Sequence, residues 1–400
     1  MELSNTLDSM VADDALAIAS TWSFWDRPVP DAVTRRVETP PELRESLALV
    51  LQGVRRCGKS TLMRQLMARY KLNPKHCLFV NLEDPRLSNA LTHETLDALV
   101  MGFRARHPRV KRLVFFLDEI QAVTGWERWL RSQLERPEEG HVFVVSGSNA
   151  TLLSGELGSV LTGRHLTVEV FPFDLSEVRL LKPKTTLGDY LRDGGFPEPL
   201  PLRDGDALRR QYFDDIVERD VRERLAARSS KPIRQVVQLA YEAAGSELSL
   251  RRVAATVGLA TDTAGAYLDA CEAAYLLFQV PYFATSERKR AGRNRKVYPI
   301  DTGMRRGAVT PGSADRGKSL ECATQLVLRK RFGEVSYWRG DGGEVDFVVQ
   351  EGRRVIPVQV SWDGPQPRHE RALTSFYEQF PHADEAWWVT AETFAELDAR

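Results

Sequence analysis

Gly53-Val54-Arg55-Arg56-Cys57-Gly58-Lys59-Ser60-Thr61 is the stretch from which the rest of this 400-residue chain can be read. It fits the pattern G-x-x-x-x-G-K-[ST] with nothing left over. An apolar run, Leu47-Ala48-Leu49-Val50-Leu51, leads into it, and Ser60-Thr61-Leu62-Met63-Arg64-Gln65-Leu66 leaves it with helical character. Strand, glycine-bearing turn and helix, in that order, are the setting of a phosphate-binding loop. Gly53 and Gly58 let the backbone curl so that successive N–H groups face phosphate oxygens. The first turn of the following helix adds unpaired N–H groups and a positive dipole end. In such a loop Lys59 reaches the β- and γ-phosphates and the Ser60 hydroxyl ligates Mg²⁺. Val54, Arg55, Arg56, Cys57 and Thr61 complete the cradle, and the expected ligand is ATP with Mg²⁺.

Further strands follow the loop. Cys77–Asn81 reads as a strand and the segment near Glu94–Arg106 as an amphipathic helix. Leu113-Val114-Phe115-Phe116-Leu117 closes on Asp118-Glu119, a buried strand ending in paired acids. Asp118 is expected to hold Mg²⁺ and Glu119 to orient and deprotonate the attacking water, so the pair points to hydrolysis. The strand His141–Val145 ends in Ser146-Gly147-Ser148-Asn149. There Ser148 or Asn149 is a candidate to reach the γ-phosphate, with helix capping as the alternative. Arg164 precedes the strand Thr167–Val170. It is a candidate phosphate arginine, in cis or from a neighbouring subunit, and otherwise a surface charge.

Composition narrows the remaining classes. Fifty-five basic residues balance 55 acidic ones, so no overall field draws the chain to nucleic acid or membrane. Cys57, Cys77, Cys271 and Cys322 lie far apart, form no metal spacing and read as reduced thiols. Met1-Glu2-Leu3-Ser4 has neither a basic nor an apolar leader character, and no apolar run approaches the ~18 residues of a membrane span. A cytoplasmic location with no membrane partner is the expectation.

Taken together, Gly53–Thr61, Asp118-Glu119-Ile120-Gln121, Gly147-Ser148-Asn149 and Gly163-Arg164 with Phe171-Pro172-Phe173 resemble bacterial and archaeal AAA-type ATPases. The resemblance continues through Gly194-Gly195-Phe196-Pro197-Glu198, Glu218-Arg219-Asp220-Val221, Val297–Gly303 and Glu344-Val345-Asp346-Phe347. It implies ATP hydrolysis, with a winged-helix segment and a nuclease-like C-terminal domain after the ATPase. The fold class expected is therefore α/β, built from three parts. They are a P-loop (ASCE/AAA-type) parallel-sheet domain, a winged helix-turn-helix, and a degenerate restriction-endonuclease-like α/β domain. The expected boundaries are 1–45 for an N-terminal helix and arm, 46–180 for the ATPase core and 181–231 for a helical connector. The winged segment would span 232–305 and the C-terminal domain 306–400.

Leu250, Val253, Ala254 and Val257 share one helix face, and Ala264, Tyr267, Leu268 and Cys271 share a second after the turn at Gly258. The second helix carries Asp262, Asp269 and Glu272 and no Lys or Arg, so it is unsuited to reading base edges. The loop that follows holds Arg288, Lys289, Arg290, Arg293, Arg295 and Lys296, a concentrated phosphate-seeking set able to bind DNA without reading its sequence. In the C-terminal domain Glu321 and Asp346 match a nuclease pattern. The third element reads Gln359-Val360-Ser361, without the expected Glu and Lys, and Lys318 is the one nearby lysine. The nuclease fold with its cleavage lost is the expectation. Three functions stand side by side: an ATPase that drives the later domains on DNA, a regulatory ATPase switch that scaffolds protein partners, and an ATP-gated nuclease. Self-association is open to all three.

Overall fold

Five short apolar runs become the five strands of one parallel sheet in a computed structural model that describes residues 14–87, 91–148, 161, 163–309 and 316–399. The chain divides into two compact units. The first contains the chain up to Gly53 and Gly58–Val170. Its elements are α1 (14–22), β1 (Ala48–Gln52), α2 (Lys59–Arg69), β2 (Cys77–Asn81), α3 (His93–Arg106), β3 (Leu113–Asp118), α4 (Trp126–Leu134), β4 (His141–Gly147) and β5 (His165–Glu169).

The strand order is β2-β3-β4-β1-β5, with every neighbouring pair parallel. β1, β3 and β4 are buried along their whole length, which is why their sequences are continuously apolar and do not alternate. β4 lies between β1 and β3. Its carboxyl end therefore falls between the phosphate loop after β1 and the acids at the end of β3.

The N-terminal arm is tied to this sheet at both ends. Trp25 stacks on Phe103 at 5.4 Å and donates to the Cys77 carbonyl, and Trp22 donates to Asp84. Further along, the arm follows α2. Gln65 bonds Arg35 and Val33, Arg69 bonds the Arg35 and Val37 carbonyls, and Tyr70 bonds that of Pro40. The aromatics of the arm thus pack on the sheet unit.

The second unit contains Val54–Cys57 and Phe171–Arg400. It begins with α5 (Leu175–Leu181), α6 (Leu187–Asp193) and α7 (Gly205–Asp215), which runs on as a π-helical turn, Ile216–Arg222. Asp174 and Thr186 close capping boxes at the starts of α5 and α6. Then come α8 (Lys231–Glu242), α9 (Leu250–Val257), α10 (Thr261–Ala273), β6 (Leu277–Val280), α11 (Glu287–Ala291), β7 (Lys296–Pro299) and α12 (Thr302–Ala308). β6 and β7 pair as an antiparallel hairpin. The three acids of α10 include two that hold this hairpin. Gln279 donates its backbone N–H to Glu272 and its amide to Asp269 and Glu272.

The motif residues near 195 and 301 meet inside this unit. Asp301 accepts the N–H groups of Met304 and Gly195, capping α12. Gly195 is required there, since a Cβ would fall 2.0 Å from the Phe173 carbonyl oxygen. The last elements are α13 (Arg316–Phe332), β8 (Val335–Gly340), β9 (Gly343–Glu351), β10 (Arg354–Val360), α14 (Pro367–Gln379), β11 (Trp387–Val389) and α15 (Phe394–Ala399). β8, β9 and β10 are antiparallel, and β11 joins β10 in parallel.

Candidate functional site

In the first unit Gly53, Lys59 and Ser60 of the loop come together with the two acids. Gly58 sits at φ 101°, which an L side chain adopts only with strain, and a Cβ there would lie 3.0 Å from Nη1 of Arg35. Lys59, 4% exposed, donates to the Gly53 carbonyl at 3.0 Å and stands 3.9 Å from the Glu119 carboxylate. Glu119 has φ 56° and ψ 51° and accepts a hydrogen bond from the Gln121 amide at 2.6 Å. Asp118 is 2% exposed.

Burial, and after it the adjacent Glu119, push the Asp118 carboxyl up from its usual range. Hydrogen bonds from Ser146 and Ser60 and the charge of Lys59 oppose the rise. Burial still penalises the Asp118 charge with Lys59 and Arg64 nearby, and Ser60 already bonds Asp118. A hard divalent cation with its phosphate and water ligands would offset that penalty, so Ser60 and Asp118 fit Mg²⁺.

Ser146, buried within β4, is a site residue that the motif reading passed over. Its hydroxyl donates to Asp118 and accepts the backbone N–H of Glu119 at 3.1 Å, fixing both acids. Leu117 pairs with Val145 in the β3–β4 register, so the next residues, Asp118 and Ser146, are opposite one another. Ser148 is buried, and Asn149 lies outside the described residues. Two arginines also stand close to the loop. Arg35 of the arm is 2% exposed and lies against Gly58. Arg64, one turn into α2, bonds the Ser60 carbonyl and Thr61. Burial draws its guanidinium down and the nearby Asp118 charge pushes it back up.

Arg164 falls elsewhere. It precedes β5 at the end where His165 pairs with Ala48, and the phosphate loop starts beyond Gln52 at the other end. Arg164 is level with Leu47, six strand rises from Gly53, about 20 Å. Its guanidinium bonds the Leu134 carbonyl and stands 3.9 Å from Glu135. This geometry corrects the cis alternative, because a side chain at the amino edge of the sheet does not span that distance.

Within the second unit, Arg55 pairs with Asp220 through two hydrogen bonds of 3.1 and 3.2 Å, and Arg56 lies over the Tyr212 ring. The basic loop between β6 and β7 carries exposed Arg288, Lys289, Arg293 and Arg295, while Arg290 stands 3.9 Å from Glu287. Lys296 does not belong with them. It is 0% exposed, with Nζ 3.3 Å from Glu321 and bonded to Glu344. Tyr298, two residues on and on the same strand face, donates to Glu321 at 2.6 Å.

Lys296, and not Lys318, is the lysine that stands against Glu321 and Glu344, and it occupies their cluster as a counterion, which corrects the expectation for Lys318. Burial alone would pull the Lys296 ammonium down, but Glu321, Glu344 and Asp346 together hold it above its usual range. Burial and Glu321 push the Asp346 carboxyl up, against the opposing charge of Lys296. Gln359 is occupied by β9. Its amide donates to the Glu344 carbonyl at 2.9 Å, and its oxygen lies 3.4 Å from the Asp346 N–H. Ser361 is buried and its N–H bonds Val389. A divalent cation does not fit, because an ammonium stands where the carboxylates meet. Among the described residues no group of three or more His, Cys, Asp or Glu is arranged to hold a metal.

Comparison with known proteins agrees with the first unit's geometry. Residues 45–179 match the model of the AAA domain family. Residues 184–314 and 316–397 match two separate domains of unknown function. An uncharacterized protein of Haemophilus influenzae is 26% identical over 342 residues, covering 80% of this chain and 84% of its own. Another, of Methanocaldococcus jannaschii, is 27% identical over 355 residues, covering 82% and 77%. Among solved structures, the Thermotoga maritima RuvB Holliday junction branch migration motor covers 58% of this chain and 82% of its own. It is 17% identical, with a TM-score of 0.31. Replication initiator DnaA bound to AMPPCP and single-stranded DNA covers 57% and 82%, at 16% identity and a TM-score of 0.28. Scores this low locate no ligand in this chain. No described helix is long and apolar enough to cross a membrane.

The buried lysine generates a direct prediction. Lys296→Met leaves Glu321, Glu344 and Asp346 without their cation and should cost roughly 3 kcal/mol in chemical denaturation. Millimolar Mg²⁺ should raise the variant's melting temperature by more than it raises that of the unaltered chain, recovering part of the loss. Mg²⁺-dependent DNA cleavage by the unaltered chain, lost in Asp346→Ala, would contradict this reading and show that a metal displaces Lys296.

Proposed function

We propose that this chain binds ATP with Mg²⁺ and hydrolyses it to ADP and phosphate. The reading is carried by one observation: Lys59 lies between the Gly53 carbonyl and Glu119, beside a buried Asp118 bonded by Ser60 and Ser146. Lys59 and the loop N–H groups bind and orient the phosphates. Ser60 and Asp118 would hold Mg²⁺, which would supply charge neutralisation to the bound phosphates. Glu119, released by Lys59 as that ammonium turns to phosphate, takes the proton of the attacking water.

The hydrolysis cycle then acts on the rest of the chain. The Arg55–Asp220 pair supports this, because Asp220 follows Glu218 in a π-helical turn and holds a phosphate-loop side chain. The basic loop Arg288–Arg295 contacts nucleic acid without reading its sequence, in a winged-helix arrangement of α9, α10 and the β6–β7 hairpin. A switch that touches no DNA is the competing reading. It is supported by α10, whose acids Asp269 and Glu272 are engaged with Gln279. Nuclease action is the reading least supported, given Lys296.

Lys59→Ala should abolish nucleotide binding. Glu119→Gln should still bind ATP and turn over at least ~100-fold slower, the usual worth of a positioned base. Wild-type turnover by Glu119→Gln, in a phosphate-release assay, contradicts the role given to Glu119.

Self-association gives Arg164 its role, since from the amino edge of the sheet it can serve only a neighbour's phosphate. Specific activity should then rise with protein concentration, and Arg164→Ala should cut kcat far more than it raises KM. A chain that sediments as a monomer with concentration-independent activity removes this role.

A further inference from the structure

The basic loop between β6 and β7 is not a free-standing arm. It forms one wall of a cleft of about 520 Å³ whose other wall comes from the last α/β elements. Arg288, Lys289, Gly292 and Arg293 line one side, and Arg339, Gly340 and Asp341 of the β8–β9 turn with Ser375 and Gln379 of α14 line the other. Tyr282 and Trp338 form the floor. From this geometry we infer that the cleft is a binding site for phosphate groups, with a nucleic-acid backbone as the ligand.

Charge carries the inference. Among the described residues Arg288, Lys289 and Arg293 have no carboxylate within ion-pair distance, while Arg339 is paired with Glu247 at 3.2 Å and Glu344 at 2.6 Å. Asp341 is the one acid in the cleft wall, so the wall keeps a net positive charge. Three exposed like charges on one short loop repel each other, and a polyanion removes that cost. The chain as a whole has no net charge, so this is a local feature.

The floor decides what the ligand is read by. Arg293 already covers the Tyr282 ring at 5.1 Å, and Trp338 is 1% exposed. Neither ring is open for a base to stack on, and no other aromatic lines the cleft. The cleft therefore takes the phosphates and leaves the bases unread. Gln379 adds a neutral donor: its oxygen accepts from the Trp338 indole at 3.3 Å, which leaves the amide N–H groups for a phosphate oxygen. Free oligophosphate shares this chemistry and has to be told apart by experiment.

The inference rests on the reading that the basic loop contacts nucleic acid and adds the second wall to it. The test measures binding of labelled single- and double-stranded oligonucleotides of unrelated sequence to the full chain, with and without ATP, across salt. Binding should be sequence-tolerant, and Arg288→Ser/Lys289→Ser/Arg293→Ser should lower the log–log salt slope by about 3. Gln379→Glu keeps an acceptor for Trp338 but puts a negative charge in the cleft, and it should weaken binding about tenfold with an unchanged melting temperature. If the triple variant weakens binding and Gln379→Glu does not, the loop alone contacts DNA and the cleft is overturned. Inorganic pyrophosphate is tested in a Lys59→Ala chain, so that the phosphate loop does not contribute. Pyrophosphate binding that Gln379→Glu removes, without oligonucleotide binding, keeps the cleft as a phosphate site and removes the nucleic-acid reading. Binding of neither probe overturns both.

Discussion

Two adjacent carboxylates close a buried strand, and much of the first unit is arranged around the burial of one of them, Asp118. Asp118 is held in an environment that penalises its charge, with Glu119 adjacent. Ser146, Ser60 and Lys59 each offset part of the penalty without removing it. A protein core tolerates such an arrangement where something binds to complete it. Strand order enforces the geometry. With β4 between β1 and β3, the serine that steadies the acids and Lys59 after β1 reach the same point from different parts of the chain.

The C-terminal elements meet a similar problem with the opposite solution. There Glu321, Glu344 and Asp346 surround a covalently tethered cation, Lys296, so no metal is needed to balance them. The same strand that brings Lys296 also brings Tyr298 to Glu321, which fastens the β6–β7 hairpin to α13 and β9. At the first cluster Lys59 stands 3.9 Å from Glu119, whereas at the second the fully buried Lys296 is paired with both Glu321 and Glu344.

How much of this was legible in the sequence depends on whether the deciding contacts are local. The loop Gly53–Thr61 and the pair Asp118-Glu119 are each contiguous in sequence, so both could be located from spacing alone. Ser146 sits inside a strand, and only the order and register of the sheet bring it opposite Asp118. Arg35 comes from an extended arm with no periodic pattern, and hydrogen bonds from α2 determine where it lies. Lys296 ends a run of basic residues and so reads as a surface charge. The alternation Lys296-Val297-Tyr298 at the start of a strand was the available signal, since it puts Lys296 and Tyr298 on one face. Arg164 was placed by its order in the chain, and order does not say which end of a parallel strand a residue occupies.

The most direct test of the account is the Mg²⁺ dependence of ADP binding in Asp118→Asn, measured by titration calorimetry. The unaltered chain should bind ADP more tightly with Mg²⁺ than with a chelator present. Asp118→Asn should lose that increment while keeping its Mg²⁺-free affinity, because the buried charge that calls for the metal is gone. An increment of undiminished size in Asp118→Asn would contradict the claim that this carboxylate is what the site is built to satisfy.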